Sequence, residues 1–233
     1  MSNYNQKLFS GGIRSYLHYM RFHWLQRHLT AEAQSYSLFE LGCFDCRSLG
    51  FVAKPKSYLG VDAGWEGGLE DARLAYRTDP SVQLVIAQSV HDLKEHAHRR
   101  FDYSIALETL EHMNDSVLRG YVEFLARVTT KQLLITVPVE IGPVFLAKHL
   151  AKSLVPKLEN GETESYTLRE VIAATRGRVD KVNRYEHKGF DYHLLIKLLS
   201  NYFTITKVEG IPFTNFPQFS FQVGIIAEPK ILA

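Results

Sequence analysis

Short apolar runs alternate with longer amphipathic stretches along most of the chain. Leu38–Leu41, Tyr58–Val61, Val82–Ala87, Tyr103–Leu107 and Leu133–Val137 are nearly continuous apolar runs, the pattern of strands covered on both faces. Helical stretches are expected between them near 47–54, 66–77 and 116–129. Such alternation implies βαβ units, a parallel sheet and right-handed crossovers. Residues 1–30 read differently. Tyr4, Leu8, Phe9, Ile13, Tyr16, Leu17, Tyr19, Met20, Phe22, Trp24 and Leu25 recur at helical spacing among Lys7, Arg14, Arg21 and Arg27. One or two amphipathic helices are predicted there, separated at Gly11-Gly12.

After Pro138 the rhythm breaks. Val144–Val155 is an expected amphipathic helix, Asn160-Gly161 a turn, and Thr167–Thr175 a helix capped by Ser165 or Thr167. A loop over 176–188, rich in Arg, Lys and Asn, leads to a helix over 190–201 and strands near 203–209 and 219–227, the last pairing antiparallel at the end of the sheet. The expected fold is α/β: doubly wound, a mostly parallel seven-stranded sheet with helices on both faces and the last strand antiparallel. Residues 1–34 would form a helical cap and 35–233 the α/β domain. The excursion at 141–189 is too long for a plain crossover and is expected to be a lid or substrate wall.

Composition changes this picture little. The 233 residues are 45% apolar, an ordinary globular composition. A formal net charge of +2 gives no reason to expect a nucleic-acid partner. No apolar run approaches the ~18 residues of a membrane span, and the first residues lack the apolar core of a secretory signal. A basic amphipathic helix can lie on a membrane, so peripheral contact through 1–30 stands beside the preferred expectation, a helix packed over the domain. Two cysteines three positions apart cannot staple a fold, so a reducing, cytoplasmic setting is expected.

In open α/β sheets ligands sit beyond the carboxyl ends of the strands. The residues there are Glu40-Leu-Gly-Cys-Phe-Asp-Cys46, Asp62-Ala-Gly64, Gln88-Ser-Val-His-Asp92, Glu108-Thr-Leu-Glu-His112 and Pro138-Val-Glu140. Gly42 permits a sharp turn and a close ligand approach. Asp62 follows it by about 20 residues, the spacing of the acid that accepts both ribose hydroxyls in dinucleotide folds. Ser89 and Val90 are placed to meet the edge of an adenine. Cys43 and Cys46, between a strand and a helix N-terminus, are read as small residues filling a tight loop; a redox pair is the lesser alternative. Zinc would need two more ligands, and no metal centre is expected. His91, His96 and His98 have charged neighbours and face solvent on this reading, as does His149.

The stretches "FELGCFDCRSL", "YLGVDAG", "FDYSIALETLEHM" and "LLITVPVE" resemble, in order and spacing, the class I S-adenosylmethionine-dependent methyltransferases. The resemblance spans about 35–140, is weaker over 187–228, and leaves out 1–34 and most of 141–186. It implies a Rossmann-like fold with S-adenosylmethionine as cofactor and S-adenosylhomocysteine as product. By it Glu40, Gly42, Cys43 and Phe44 lie along the methionine part of the cofactor, and Asp62 and Ala63 at the ribose. Ser89 and Val90 meet the adenine, and Leu107 and Glu108 line the wall beside the transferable methyl. The family's Glu-x-Gly-x-Gly-x-Gly loop has Phe44 and Cys46 at its second and third glycines here, and Ser89 stands where an Asp is common.

An alcohol or phenol acceptor benefits from a general base within hydrogen-bond reach. The candidates are His112, Glu111, Glu108 and His187, with Glu140 further off. Asn114 or Asp115 is the expected cap of the helix that follows. The acceptor is expected to be a small molecule, a sugar or a lipid-linked glycan, methylated on oxygen. One alternative is a methyltransferase-like fold acting as a binding or regulatory module, motivated by Phe44, Cys46 and Ser89. Another is a dinucleotide oxidoreductase, which the missing Gly-x-Gly-x-x-Gly disfavours. Phe213, Phe216, Phe219 and Phe221 fit either a ligand pocket or the core, and the core is preferred.

Overall fold

The computed structural model describes Phe9 and residues 11–154, 166–185 and 187–230, with the side chains of 13, 14 and 152–154 left out of the description. Seven strands form one sheet: β1 Ser37–Leu41, β2 Ser57–Asp62, β3 Val82–Ile86, β4 Phe101–Leu107, β5 Thr129–Pro138, β6 Phe203–Ile211 and β7 Gln222–Pro229. Their order is β3-β2-β1-β4-β5-β7-β6. The first five pair in parallel, and β7 runs antiparallel to both neighbours. The antiparallel strand therefore lies one place in from the edge, which β6 occupies. Strand order reverses between β1 and β4, so the ligand crevice of such a sheet opens above Leu41, Asp62 and Leu107.

Alternate residues of each strand serve opposite faces. Leu38, Tyr58, Ile105, Leu134 and Ile226 pack under α1 (Gly12–His28) and α2 (Gly68–Ala75), with Phe22, Trp24, Leu25, Leu69 and Ala72. Phe39, Leu41, Leu59, Val61, Ile135 and Ile225 pack under α3 (Asp115–Val128) and α6 (Tyr192–Leu199). The sheet is thus wound on both sides. Between β5 and α6 lie α4 (Gly142–Leu154) and α5 (Leu168–Thr175), which share a small core of Phe145, Ala173, Ala174 and Val182.

Most expected elements are present, with shifted ends. The stretch 47–54 is corrected: it closes as one 3-10 turn, Arg47–Gly50, and runs extended into β2. Pro55 keeps Lys54 out of the helical region. Trp24 packs so closely on β7 that a Cβ on Gly224 would lie 2.3 Å from its ring. Its Nε1 donates to Glu209 Oε1 at 2.7 Å, where His28 Nε2 also approaches at 2.6 Å. Asn114 caps α3 through Val117 N, and Thr167 caps α5 in a reciprocal pair with Glu170. The Asn160-Gly161 turn, Ser165 and the N-terminal stretch before Phe9 lie outside the described residues. The core expectation is overturned for three of the four last phenylalanines, Phe221 being half-buried. Phe213, Phe216 and Phe219 are each more than half exposed, because they sit on the β6–β7 connection beyond the sheet.

Candidate active site

Positions 42, 44 and 46, the three glycine positions of the implied loop, all adopt left-handed backbone: φ is +74° at Gly42, +45° at Phe44 and +56° at Cys46. The glycine geometry is present at all three positions although two are not glycine. Each non-glycine residue held there costs about 1–2 kcal/mol of backbone strain. Packing offsets it. The Phe44 ring lies against Gly68, where an added Cβ would sit 2.5 Å from the ring, and Cys46 is fully buried. At Gly42 the requirement is absolute, since a Cβ would meet Thr109 Oγ1 at 2.2 Å.

Asp62 ends β2 and binds this loop directly. Its carboxylate accepts from Phe44 N at 2.9 Å and Gly64 N at 2.8 Å. Each oxygen thus has one backbone donor and a lone pair left for a ligand hydroxyl. Ala63 lies beside it. Below the loop, Glu40 is buried and accepts from Tyr58 OH at 2.6 Å and from Ser48 Oγ. Burial pushes its carboxyl up to about 7, against the two hydrogen bonds. Because the folded value is raised, the proton is held more tightly in the folded than in the unfolded chain. The contribution to stability is full below the ordinary value near 4.5 and declines as pH rises to about 7. Glu40→Gln is expected to remove this decline, on the order of 2–3 kcal/mol between pH 5 and 8 in urea titrations. An unchanged slope would show that Glu40 is ionised throughout.

Cys43 and Cys46 are free and buried. The Cys43 thiol is pushed well above its ordinary value, chiefly by its hydrogen bond with Cys46 and then by burial. A reactive cysteine needs the opposite shift, so the geometry favours the filling role. Ser89 sits at the end of β3, where Asp92 accepts from Ser89 N at 2.9 Å and Ser89 Oγ at 3.1 Å. Its hydroxyl therefore serves a local cap, while Val90, half-buried, packs toward α3 near Gly120.

Beyond β4 the chain turns sharply at Glu108, with φ +56°. Leu107 is buried. Glu108 faces Arg21 of α1, Oε2 to Nη1 3.7 Å. Glu111 is fully buried, and beyond its own backbone N–H its carboxylate has no hydrogen-bond partner among the described residues. Its Oε1 lies 4.0 Å from His112 Nε2 and 3.9 Å from His187 Nδ1. The two imidazoles meet edge-on with centroids 4.1 Å apart. One ligand atom from each of Glu111, His112 and His187 lies within 4.8 Å of the others. Burial first, then the charge of Glu108, holds the Glu111 carboxyl well above the usual range.

Three of the four predicted catalytic residues thus converge, while Glu108 turns toward α1. The convergence depends on the excursion. Glu170 accepts from Asn183 N at 3.1 Å and pairs with Lys188 Nζ at 2.9 Å, and Arg184 Nη2 donates to the Glu111 carbonyl at 2.8 Å. These contacts pin the loop so that His187 reaches the end of β4. No metal centre was expected from sequence; a carboxylate and two imidazoles at this spacing form a donor set suited to a divalent cation. The expectation had considered only cysteines and surface histidines. The unread signal was the repeated Glu-His dipeptide, at 111–112 and 186–187.

No protein-family model and no curated protein matches the sequence. Solved structures do match in fold. An S-adenosylmethionine-dependent methyltransferase from Clostridium acetobutylicum is 12% identical over 97% of this chain and 96% of its own, with a TM-score of 0.61. N-methyltransferase NodS from Bradyrhizobium japonicum is 10% identical over 92% and 97%, with a TM-score of 0.55. The small RNA methyltransferase HEN1 is 16% identical over 90% of this chain and 25% of its own, with a TM-score of 0.60. With its switch point above β1 and β4 and its antiparallel β7, this chain has the fold of the class I, Rossmann-like S-adenosylmethionine-dependent methyltransferases.

Proposed function

We propose that this protein is an S-adenosylmethionine-dependent O-methyltransferase whose acceptor is a hydroxyl of a sugar or glycan, activated beside a divalent cation at Glu111, His112 and His187. One observation carries the reading: a buried carboxylate with no hydrogen-bond partner beyond its own backbone N–H among the described residues, facing two imidazoles, at the strand end where the transferable methyl is expected. An isolated buried carboxylate is strongly disfavoured unless a cation or a proton neutralises it. A bound cation supplies Lewis acidity that lowers the pKa of a nearby hydroxyl.

The remaining work falls to alignment and to exclusion of water. Asp62 grips the ribose. The backbone at Gly42, Cys43 and Phe44, above Glu40, cradles the methionine part. Ala63, Ser89 and Val90 border the nucleoside, and Leu107 with Glu108 walls the methyl. Held there, S-adenosylmethionine would supply a methyl whose carbon–sulfur bond breaks as the carbon–oxygen bond forms, and the hydroxyl proton would pass to the Glu111 carboxylate oxygen that the cation does not engage. S-adenosylhomocysteine is the product.

A nucleic-acid hydroxyl is the rival acceptor, since HEN1 is by name a small RNA methyltransferase. The cations of the loop carrying His187 are largely engaged internally: Arg178 with Asp180, Arg184 with the Glu111 carbonyl, Lys188 with Glu170. Arg176 and Lys181 remain exposed there, two cations where a phosphate backbone calls for a longer basic run, which favours a neutral sugar.

Calorimetry with S-adenosylmethionine and S-adenosylhomocysteine, followed by methyl transfer to sugars with and without a chelator, tests the proposal. Micromolar cofactor binding and chelator-sensitive transfer are expected. No heat at millimolar cofactor would remove the enzyme claim; transfer indifferent to chelation would remove the cation.

A further inference from the structure

A second set of buried polar groups lies under α1, apart from the Glu111 cluster. Thr136 of β5 and Gln222 of β7 are fully buried. Register places them on the α1 face: Thr136 opposes Gly224, against which Trp24 packs, and Leu134 and Ile226 continue the same rows into the core under α1. Glu108 is tied in by its N–H to the Thr136 carbonyl at 2.8 Å. Arg21, one turn before Trp24, covers the group. Arg21 Nε, Glu108 Oε1, Thr136 Oγ1 and both amide atoms of Gln222 are buried with no hydrogen-bond partner among the described residues. Gln222 lies near enough to the Glu108 carboxylate to lower its pKa as a hydrogen-bond donor, with a geometry too poor for a full hydrogen bond. Buried polar atoms are paired in the great majority of cases, so a concentration from four elements at the methyl end of the crevice calls for an occupant.

We infer that this group is the subsite for the hydroxyls of the acceptor beyond the one that is methylated; the inference rests on the reading of the protein as a methyltransferase. The chemistry selects the ligand class. Arg21 and Gln222 offer N–H donors, Glu108 and Gln222 offer acceptors, and Thr136 offers both. A sugar diol, each hydroxyl giving and taking one hydrogen bond, satisfies such a mixed set; a phosphate, which only accepts here, does not. The charges of Arg21 and Lys148 are balanced by Glu108 and Glu140, which again suits a neutral polyol. Phe221 borders the group as an aromatic edge, with Lys148 Nζ 4.4 Å from its ring centroid and His18 edge-on at 5.7 Å. Arg21 closes the group from above, with long contacts to Glu108 at 3.7 Å and His18 at 3.5 Å and its guanidinium 4.9 Å from the Phe22 ring centroid.

The test uses Thr136→Val and Gln222→Leu, which keep shape and remove the unpaired groups. In the free protein each is expected to raise Tm by about 2–4 °C, because a buried group without a partner is lost. Methyl glycosides of glucose, galactose, mannose, rhamnose and ribose are titrated at millimolar concentration, with and without S-adenosylhomocysteine. The tightest is expected to bind at least about tenfold more weakly to either variant, and acceptor KM to rise with kcat and cofactor affinity unchanged. A lowered Tm in both variants would show that these groups are bonded within the protein, and equal glycoside binding by wild type and variants, or none by wild type, would also overturn the subsite. Absence of cofactor binding would instead remove the methyltransferase reading, while the titration without cofactor still decides the subsite.

Discussion

Glu111→Gln is expected to lower kcat/KM for methyl transfer by about 10²–10⁴, the range a positioned proton acceptor supplies. The same change should make the metal-free protein more stable above neutral pH. The Glu111 carboxyl is held well above its usual range by burial, so the folded chain loses stability as pH rises from the ordinary carboxylate value toward the folded one. Glutamine carries no charge to bury and removes that loss. In wild type, Mn²⁺ or Zn²⁺ should raise Tm, because a ligand that binds only the folded state stabilises it by mass action; in Glu111→Gln the increment should vanish. A variant that is slower, more stable and indifferent to metal would be the signature of a functional group held at a structural disadvantage. Retained activity together with an unchanged metal response would refute the role.

The second large effect is at Asp62. It is the expected ribose acid, and it also holds the left-handed loop through Phe44 N and Gly64 N. Asp62→Ala is expected to weaken S-adenosylmethionine at least a hundredfold, since each charge-assisted hydrogen bond contributes roughly 1.5–3 kcal/mol. Two backbone donors also lose their acceptor, so Tm should fall. Asp62→Asn retains one acceptor oxygen and should fall between the two in both measurements. If calorimetry gave wild-type affinity for Asp62→Ala, the cofactor would not lie along β2, and the assignments of Gly42, Ala63 and Ser89 would fall with it.

The loop at 42–46 illustrates how far local sequence can be read. Its departures, Phe44 and Cys46, are what motivate the alternative of a binding module. The left-handed backbone is present at both, since Phe44 is held on Gly68 and Cys46 is buried beneath. Conformation at these positions is imposed by neighbours from β2 and α2, which propensity at the loop itself does not report. The missing helix at 47–54 has a local cause by contrast: Pro55 restricts the residue before it and the chain runs extended into β2.

Apolar runs buried on both faces and their alternation with amphipathic stretches were enough to determine the seven-stranded doubly wound sheet, and the acids and glycines at the strand ends marked the end of the sheet proposed to hold a ligand. These signals are local, and each is written within a few residues. The approach of His187 to Glu111 and His112, the turning of Glu108 toward Arg21 and the gathering of Thr136 and Gln222 under α1 were decided only by the tertiary structure. Each depends on side chains brought together from distant elements by sheet order and by a loop pinned on Glu170, and no periodicity along the chain encodes a distance between segments that meet only when folded.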